Sequence, residues 1–179
     1  GERTATSTRL SASTSTELSV GTSTELSVGV SSQNLVCYAV KANGNPALIR
    51  LLGKAGLGAD VTSGGELFLA LQAGISPEKI IYSGVGKTRP EIEAALDADI
   101  HALHVESEME LETIAEIATE RQQLVRIGVR VNPNISAETH PYISTGQHAH
   151  KFGVPWPKAH AMLRFATSHP WLEAVSLGV

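Results

Sequence analysis

Lys41 closes the run LVCYAVK (35–41), in which β-branched and small residues lead up to a primary amine. Alternation at a period of two puts Leu35, Cys37, Ala39 and Lys41 on one face and Val36, Tyr38 and Val40 on the other. In a parallel barrel, slim residues would line the interior beneath Lys41. As the last residue of its strand, Lys41 would stand at the end where such barrels gather their catalytic groups. Desolvation there lowers a lysine pKa from about 10.4 toward the range in which a neutral amine attacks an aldehyde. A strand-end lysine reaching solvent has the same local pattern, so the neighbours have to decide. His140, His148 and His150 lie close together without Cys or carboxylate at ligand spacing, so no metal site is expected. His101 and His104 flank a strand and read as packing or surface residues, as do Trp156 and Trp171 around the last helix. Gly64-Gly65 opens a helix, where an anion could sit or where the pair could serve turn geometry.

The elements that must position these residues follow a regular plan. After LVCYAVKA, Asn45-Pro46 supplies an N-cap with proline at the first helical position, and Leu48, Leu51, Leu52 and Ala55 form the expected apolar face. Gly56 and Gly58 end that helix. Strand GLGADV follows. Three spacings of capping-box type, Ser63 to Glu66, Thr88 to Glu91 and Ser107 to Glu110, open the next three helices. Their apolar stripes are Leu67, Ala70 and Leu71, then Ile92, Ala95 and Leu96, then Leu111, Ile114, Ala115 and Ala118. Strands KIIYSGV, HALHVES and VRIGVRVNP alternate with these helices. A long insertion, a helix carrying Met162, Leu163 and Ala166, and a sixth strand, LEAVSLGV, complete the chain. Strand, capped helix, strand recurs about every 22 residues, which specifies βα units and a parallel sheet. Even spacing favours a closed (β/α)8 barrel of α/β class over a doubly wound sheet, and no G-x-G-x-x-G follows the first strand. Six strands against the eight of a full barrel make an incomplete barrel, and hence a fragment, the expectation.

Composition narrows the field. The chain has 179 residues, 42% of them hydrophobic and 18% charged, as in globular proteins. A net charge of −4 and 4% aromatic residues give no basis for binding nucleic acid or an anionic membrane. No apolar run approaches the ~20 residues of a spanning helix, and the first residues lack a signal-peptide pattern. The single cysteine, Cys37, reads as a small buried residue and fits a reducing cytoplasm. Residues 1–34 stand apart: TSTELSVG at 14–21 is repeated at 22–29 within a Ser/Thr-rich stretch that has little to bury. The organisation expected is therefore a leader over 1–34 and a partial barrel over 35–179.

Six motifs then carry a resemblance: YAVKAN (38–43), GLGADVTSGGEL (56–67), YSGVGKT (82–88), HVESEMEL (104–111), RVNPN (130–134) and THPYISTGQHAHKFG (139–153). Together they resemble the barrel-type PLP-dependent amino-acid decarboxylases, and within them the diaminopimelate decarboxylase branch. The resemblance implies pyridoxal 5'-phosphate as cofactor, held as a Schiff base on Lys41. It implies that Asp60 lies beside lysine and cofactor. Arg130 would lie beneath the cofactor, where a fixed cation can partner carboxylates such as Asp60. It places His140, Ser144 and Thr145 in a loop bordering the site and gives Lys151 a structural or subunit-contact part. The implied reaction is decarboxylation of meso-2,6-diaminopimelate to L-lysine in lysine biosynthesis, by a cytoplasmic homodimer. Decarboxylases of ornithine, arginine or carboxynorspermidine are the alternatives, as is a non-catalytic PLP-binding barrel. The phosphate loop, the acid paired with the ring nitrogen and a C-terminal β domain would lie beyond residue 179, so this chain alone is expected to be inactive.

Overall fold

Parallel strands alternate with helices from Cys37 onward in a computed structural model that describes residues 34–132 and 152–179. Strand β1 (Cys37–Ala39) leads to α1 (Pro46–Lys54), β2 (Gly58–Val61), α2 (Gly64–Gln72), β3 (Ile80–Tyr82) and α3 (Arg89–Asp97). Then come β4 (Ala102–Val105), α4 (Glu108–Arg121) and β5 (Val125–Asn132), followed by β6 (Val154–Pro155), α5 (Trp156–Ser168) and β7 (Leu172–Gly178). Every strand pairing is parallel, in the order β1-β2-β3-β4-β5. The long β5 then serves two neighbours: Val125 to Arg130 pair with β7, while Val131 and Asn132 pair with β6. Large apolar residues pointing away from the strand-lined cavity, among them Val61, Tyr82, Leu103, Val105, Ile127 and Val129, share one core with Ile92, Ile114 and Ile117 of the helices. Among the described residues no helix is long and apolar enough to cross a membrane.

Local sequence explains most of these boundaries. The Asn45 side chain accepts from the Ala47 amide and Pro46 begins α1, as the sequence requires. Ser63 and Ser107 each accept the amide three residues on, and Glu66 and Glu110 reach one residue further back than a simple capping box, to the Thr62 and Glu106 amides at 2.7 Å each. At α3 the Glu91 carboxylate takes both the amide and the hydroxyl of Thr88. The stripes of α3 and α4 bury as expected, in α2 Leu67 and Ala70 are buried with Leu71 half-buried, and in α5 Met162 and Ala166 are buried.

Four local expectations need correction. Among the described residues the sheet has seven strands, because Val154–Pro155 forms a two-residue strand too short to show any period. Strand β1 stops at Ala39, and Val40–Ala42 make a single 3-10 turn, so Lys41 sits just past its strand. In α1 the buried centre is Ile49, while Leu51 is 64% exposed. Apolar residues flank Ile49 on several sides, and only the packing against the sheet fixes which stripe turns inward. Finally, Gly56 alone, at φ 93°, ends α1. Gly58 lies within β2, where a Cβ would collide with the Lys79 carbonyl and the Cys37 sulfur. The repeat at 14–29 lies outside the described residues.

Candidate active site

The C-terminal ends of the strands surround a cavity of about 570 Å³. Lys41 after β1, Asp60 and Thr62 at β2, Ser83 after β3, His104 of β4, Arg130 of β5 and Gly178 of β7 all line it. The Lys41 side chain is exposed rather than desolvated and has no hydrogen-bond or ion-pair partner among the described residues. Deeper in, the Cys37 thiol faces the Lys79 carbonyl at 3.7 Å. Burial, followed by the nearby Asp60 charge, pushes its pKa up to about 11, which keeps it a thiol at neutral pH and a poor nucleophile.

Asp60 and Arg130 both reach the cavity, but not as partners of each other. Ser83 donates its hydroxyl to Asp60 Oδ1 at 2.6 Å. Arg130 Nη1 donates to Glu106 Oε1 at 2.7 Å, and the Gly153 amide donates to Glu106 Oε2 at 3.1 Å. The Glu106 side chain is almost fully buried, and the guanidinium lies 4.8 Å from the centre of the Phe152 ring. The expected Asp60–Arg130 pairing is thus replaced by two separate contacts, because Glu106 follows β4, the strand adjacent to β5, whereas Asp60 lies two strands further away.

His104 is a cavity residue, not the packing or surface residue expected from its sequence position. Its Nε2 lies 3.0 Å from Ser176 Oγ of β7, across Gly128 of β5. A Cβ at position 128 would come within 2.5 Å of the imidazole Cδ2, so the missing side chain makes room for the ring. Burial holds the imidazole below its ordinary pKa of 6.5, against the opposing pull of Asp60. The clue in the sequence was the interruption of apolar runs: His104 is the one polar residue of ALHV, and Ser176 breaks the run AVSLG.

Glu106, Lys87 and Ser83 also escaped sequence reasoning. Glu106 precedes a helix cap and reads as a solvated acid. Lys87 sits in a glycine-containing loop yet is buried, with its ammonium against Glu110. His140, Ser144, Thr145 and Lys151 lie outside the described residues.

An amine, a carboxylate fixed by a hydroxyl, and a guanidinium fixed by a buried carboxylate therefore face one small-molecule-sized space. Such a donor set suits a ligand that carries both an amine-reactive carbonyl and anionic groups.

Comparison with known proteins agrees with that chemistry. Residues 22–177 match the family model for the pyridoxal binding domain of pyridoxal-dependent decarboxylases. A diaminopimelate decarboxylase of Aquifex aeolicus is 50% identical over 143 residues, which cover 80% of this chain and 34% of that protein. The crystal structure of diaminopimelate decarboxylase from Helicobacter pylori, complexed with L-lysine, matches with a TM-score of 0.74 at 50% identity, over 80% of this chain and 36% of that one. A lysine/ornithine decarboxylase from Vibrio vulnificus, complexed with putrescine, shares the fold at TM-score 0.62 and 21% identity, over 80% and 34% of the two chains. The chain spans about a third of the length of the relatives it matches. Match, fold and cavity agree that this chain belongs to the pyridoxal-dependent decarboxylases and carries their pyridoxal-binding barrel region.

Proposed function

We propose that this chain is the cofactor-bearing part of an enzyme that removes CO₂ from meso-2,6-diaminopimelate to give L-lysine. The convergence of Lys41, Asp60 and Arg130 on one cavity at the strand ends carries this reading. The substrate class is supported by 50% identity to diaminopimelate decarboxylases, against 21% to the lysine/ornithine enzyme.

Pyridoxal 5'-phosphate suits the cavity's donor set, and when bound it supplies an electron sink for the pair left behind by CO₂. Lys41 is the amine that would hold it covalently, and its side chain is exposed with no hydrogen-bond or ion-pair partner among the described residues. Asp60, its oxygen held by Ser83, presents a fixed negative charge to the ligand. Arg130 presents a fixed cation whose plane is set by Glu106 and Phe152. His104 fills the floor between β4 and β7 as a neutral ring. The segment with His140, Ser144 and Thr145 is read as the substrate side. The longer protein is read as a cytoplasmic homodimer.

The test has two arms. Treating this chain with pyridoxal phosphate and borohydride, followed by peptide mass analysis, should place the label on Lys41; a label spread over surface lysines would overturn the site. The longer protein should release CO₂ from meso-diaminopimelate in preference to ornithine, arginine or carboxynorspermidine. Labelling without CO₂ release from any of them would make it a non-catalytic carrier.

A further inference from the structure

Lys87 lies in the YSGVGKT segment, whose part in the site the cavity lining alone does not explain. Its side chain is fully buried, and its ammonium donates to the Gly84 carbonyl at 2.7 Å, the His104 carbonyl at 2.5 Å and Glu110 Oε1 at 2.9 Å. An ammonium has three donors and no acceptor, so every N–H is used. Two of the three acceptors belong to cavity-lining residues: Gly84, just past β3, and His104 of β4. The third, Glu110, binds the Glu106 amide through its other oxygen, and Glu106 is the residue that holds Arg130. A single buried ion pair thus reaches the backbone of three residues that shape the site.

We propose that Lys87 is a positioning residue: its ammonium fixes the Gly84 and His104 backbone, and through them the side of the cavity where His104 meets Ser176. Stability alone does not require this device, since well-packed apolar residues commonly replace a buried ion pair without loss. An apolar side chain, however, offers nothing to two carbonyls at strand ends. The part of this inference that concerns pyridoxal phosphate rests on the proposed function; the part that concerns His104 does not.

The experiment compares Lys87→Met with Arg126→Met. Arg126 clamps the opposite end of β4 in a similar way, donating to the carbonyls of His101 and Ile100 at 2.9 Å each. Two readings are taken well below each variant's Tm. One is the ring-nitrogen NMR signal of His104, assigned by its loss in His104→Gln. The other is the pyridoxal phosphate concentration needed for half-labelling of Lys41 under borohydride. Lys87→Met should move the His104 signal toward that seen in Ser176→Ala and raise the half-labelling concentration about tenfold or more. Arg126→Met should lower Tm and change neither. A folded Lys87→Met with unchanged His104 signal and labelling overturns the inference, and so does an Arg126→Met that moves both as far. Should Lys87→Met fail to fold, Glu110→Gln replaces it, with a smaller shift in the same direction expected and no shift fatal. If the unaltered chain takes no label at all, the cofactor reading falls, and the His104 signal alone decides the positioning role.

Discussion

Arg130 is held by Glu106 at 2.7 Å, so the cation that faces the cavity from β5 is anchored at the end of the neighbouring β4. Replacing Glu106 by Gln keeps the shape but removes the charge that fixes the guanidinium. The expected cost is about 1.5–3 kcal/mol in urea unfolding, the scale of a hydrogen bond to a charged group. The same variant should need more pyridoxal phosphate to label Lys41. An unchanged labelling curve would show that the orientation of Arg130 does not matter to the ligand.

Lys41→Ala separates chemistry from stability. The side chain is exposed and makes no ion pair with described residues, so the folding free energy should stay within about 0.5 kcal/mol. Covalent labelling should disappear entirely. Thermal unfolding and mass analysis of one sample give both answers.

How much of this was legible beforehand varies with the physics involved. The helix starts were readable because Asn45, Ser63 and Ser107 act on amides only two or three residues away, and Glu91 takes the amide and hydroxyl of Thr88 three residues back, so local chemistry decides them. Lys41, Asp60 and Arg130 were readable from motif resemblance, and their strands bring them to one cavity. Their partners were not. Ser83, Glu106 and Ser176 lie 23, 24 and 72 residues from the groups they bind, and no local pattern carries that information. Lys87 was least readable of all, since a lysine between Gly86 and Thr88 reads as solvated until α4 brings Glu110 over it.

The Glu91 carboxylate joins two helix starts, accepting from the Thr88 amide and hydroxyl and from the Gly64 amide. Those bonds hold its pKa down to about 2 against an ordinary 4.5. Because the folded value is the lower one, the stabilisation is complete above pH 4.5 and is lost as pH falls toward 2. Glu91→Gln should cost about 1 kcal/mol near neutrality, the scale of a lost cap. The gap in Tm between the two proteins should close on acidification; a gap that stays constant down to low pH would contradict the pKa assignment.

His104 gives a second pH effect, at a different place on the scale. Its folded pKa lies below the ordinary 6.5, so below that pH the unfolded chain binds a proton that the folded one resists. Stability contributed by the neutral ring is present above pH 6.5 and falls as pH drops through this region. His104→Gln should flatten the stability profile between about pH 6.5 and 5, a range set by the ordinary histidine pKa. Denaturant midpoints measured at three pH values are sufficient to see it.

Gly128→Ala tests the room made for that ring. The added methyl would lie within 2.5 Å of His104 Cδ2 and closer still to Ser176 Oγ. Overpacking at this point should cost about 1–3 kcal/mol. Combining it with His104→Ala should recover part of the loss, and a strictly additive double variant would rule out the steric account.

The fork in β5 has a further consequence. The strand's last residues, Val131 and Asn132, pair with Val154 and Pro155, whereas Arg130 pairs with Gly178 of β7. Arg130 therefore stands at the changeover between two partners, so the cation that faces the cavity is carried on backbone bound to two different strands within three residues.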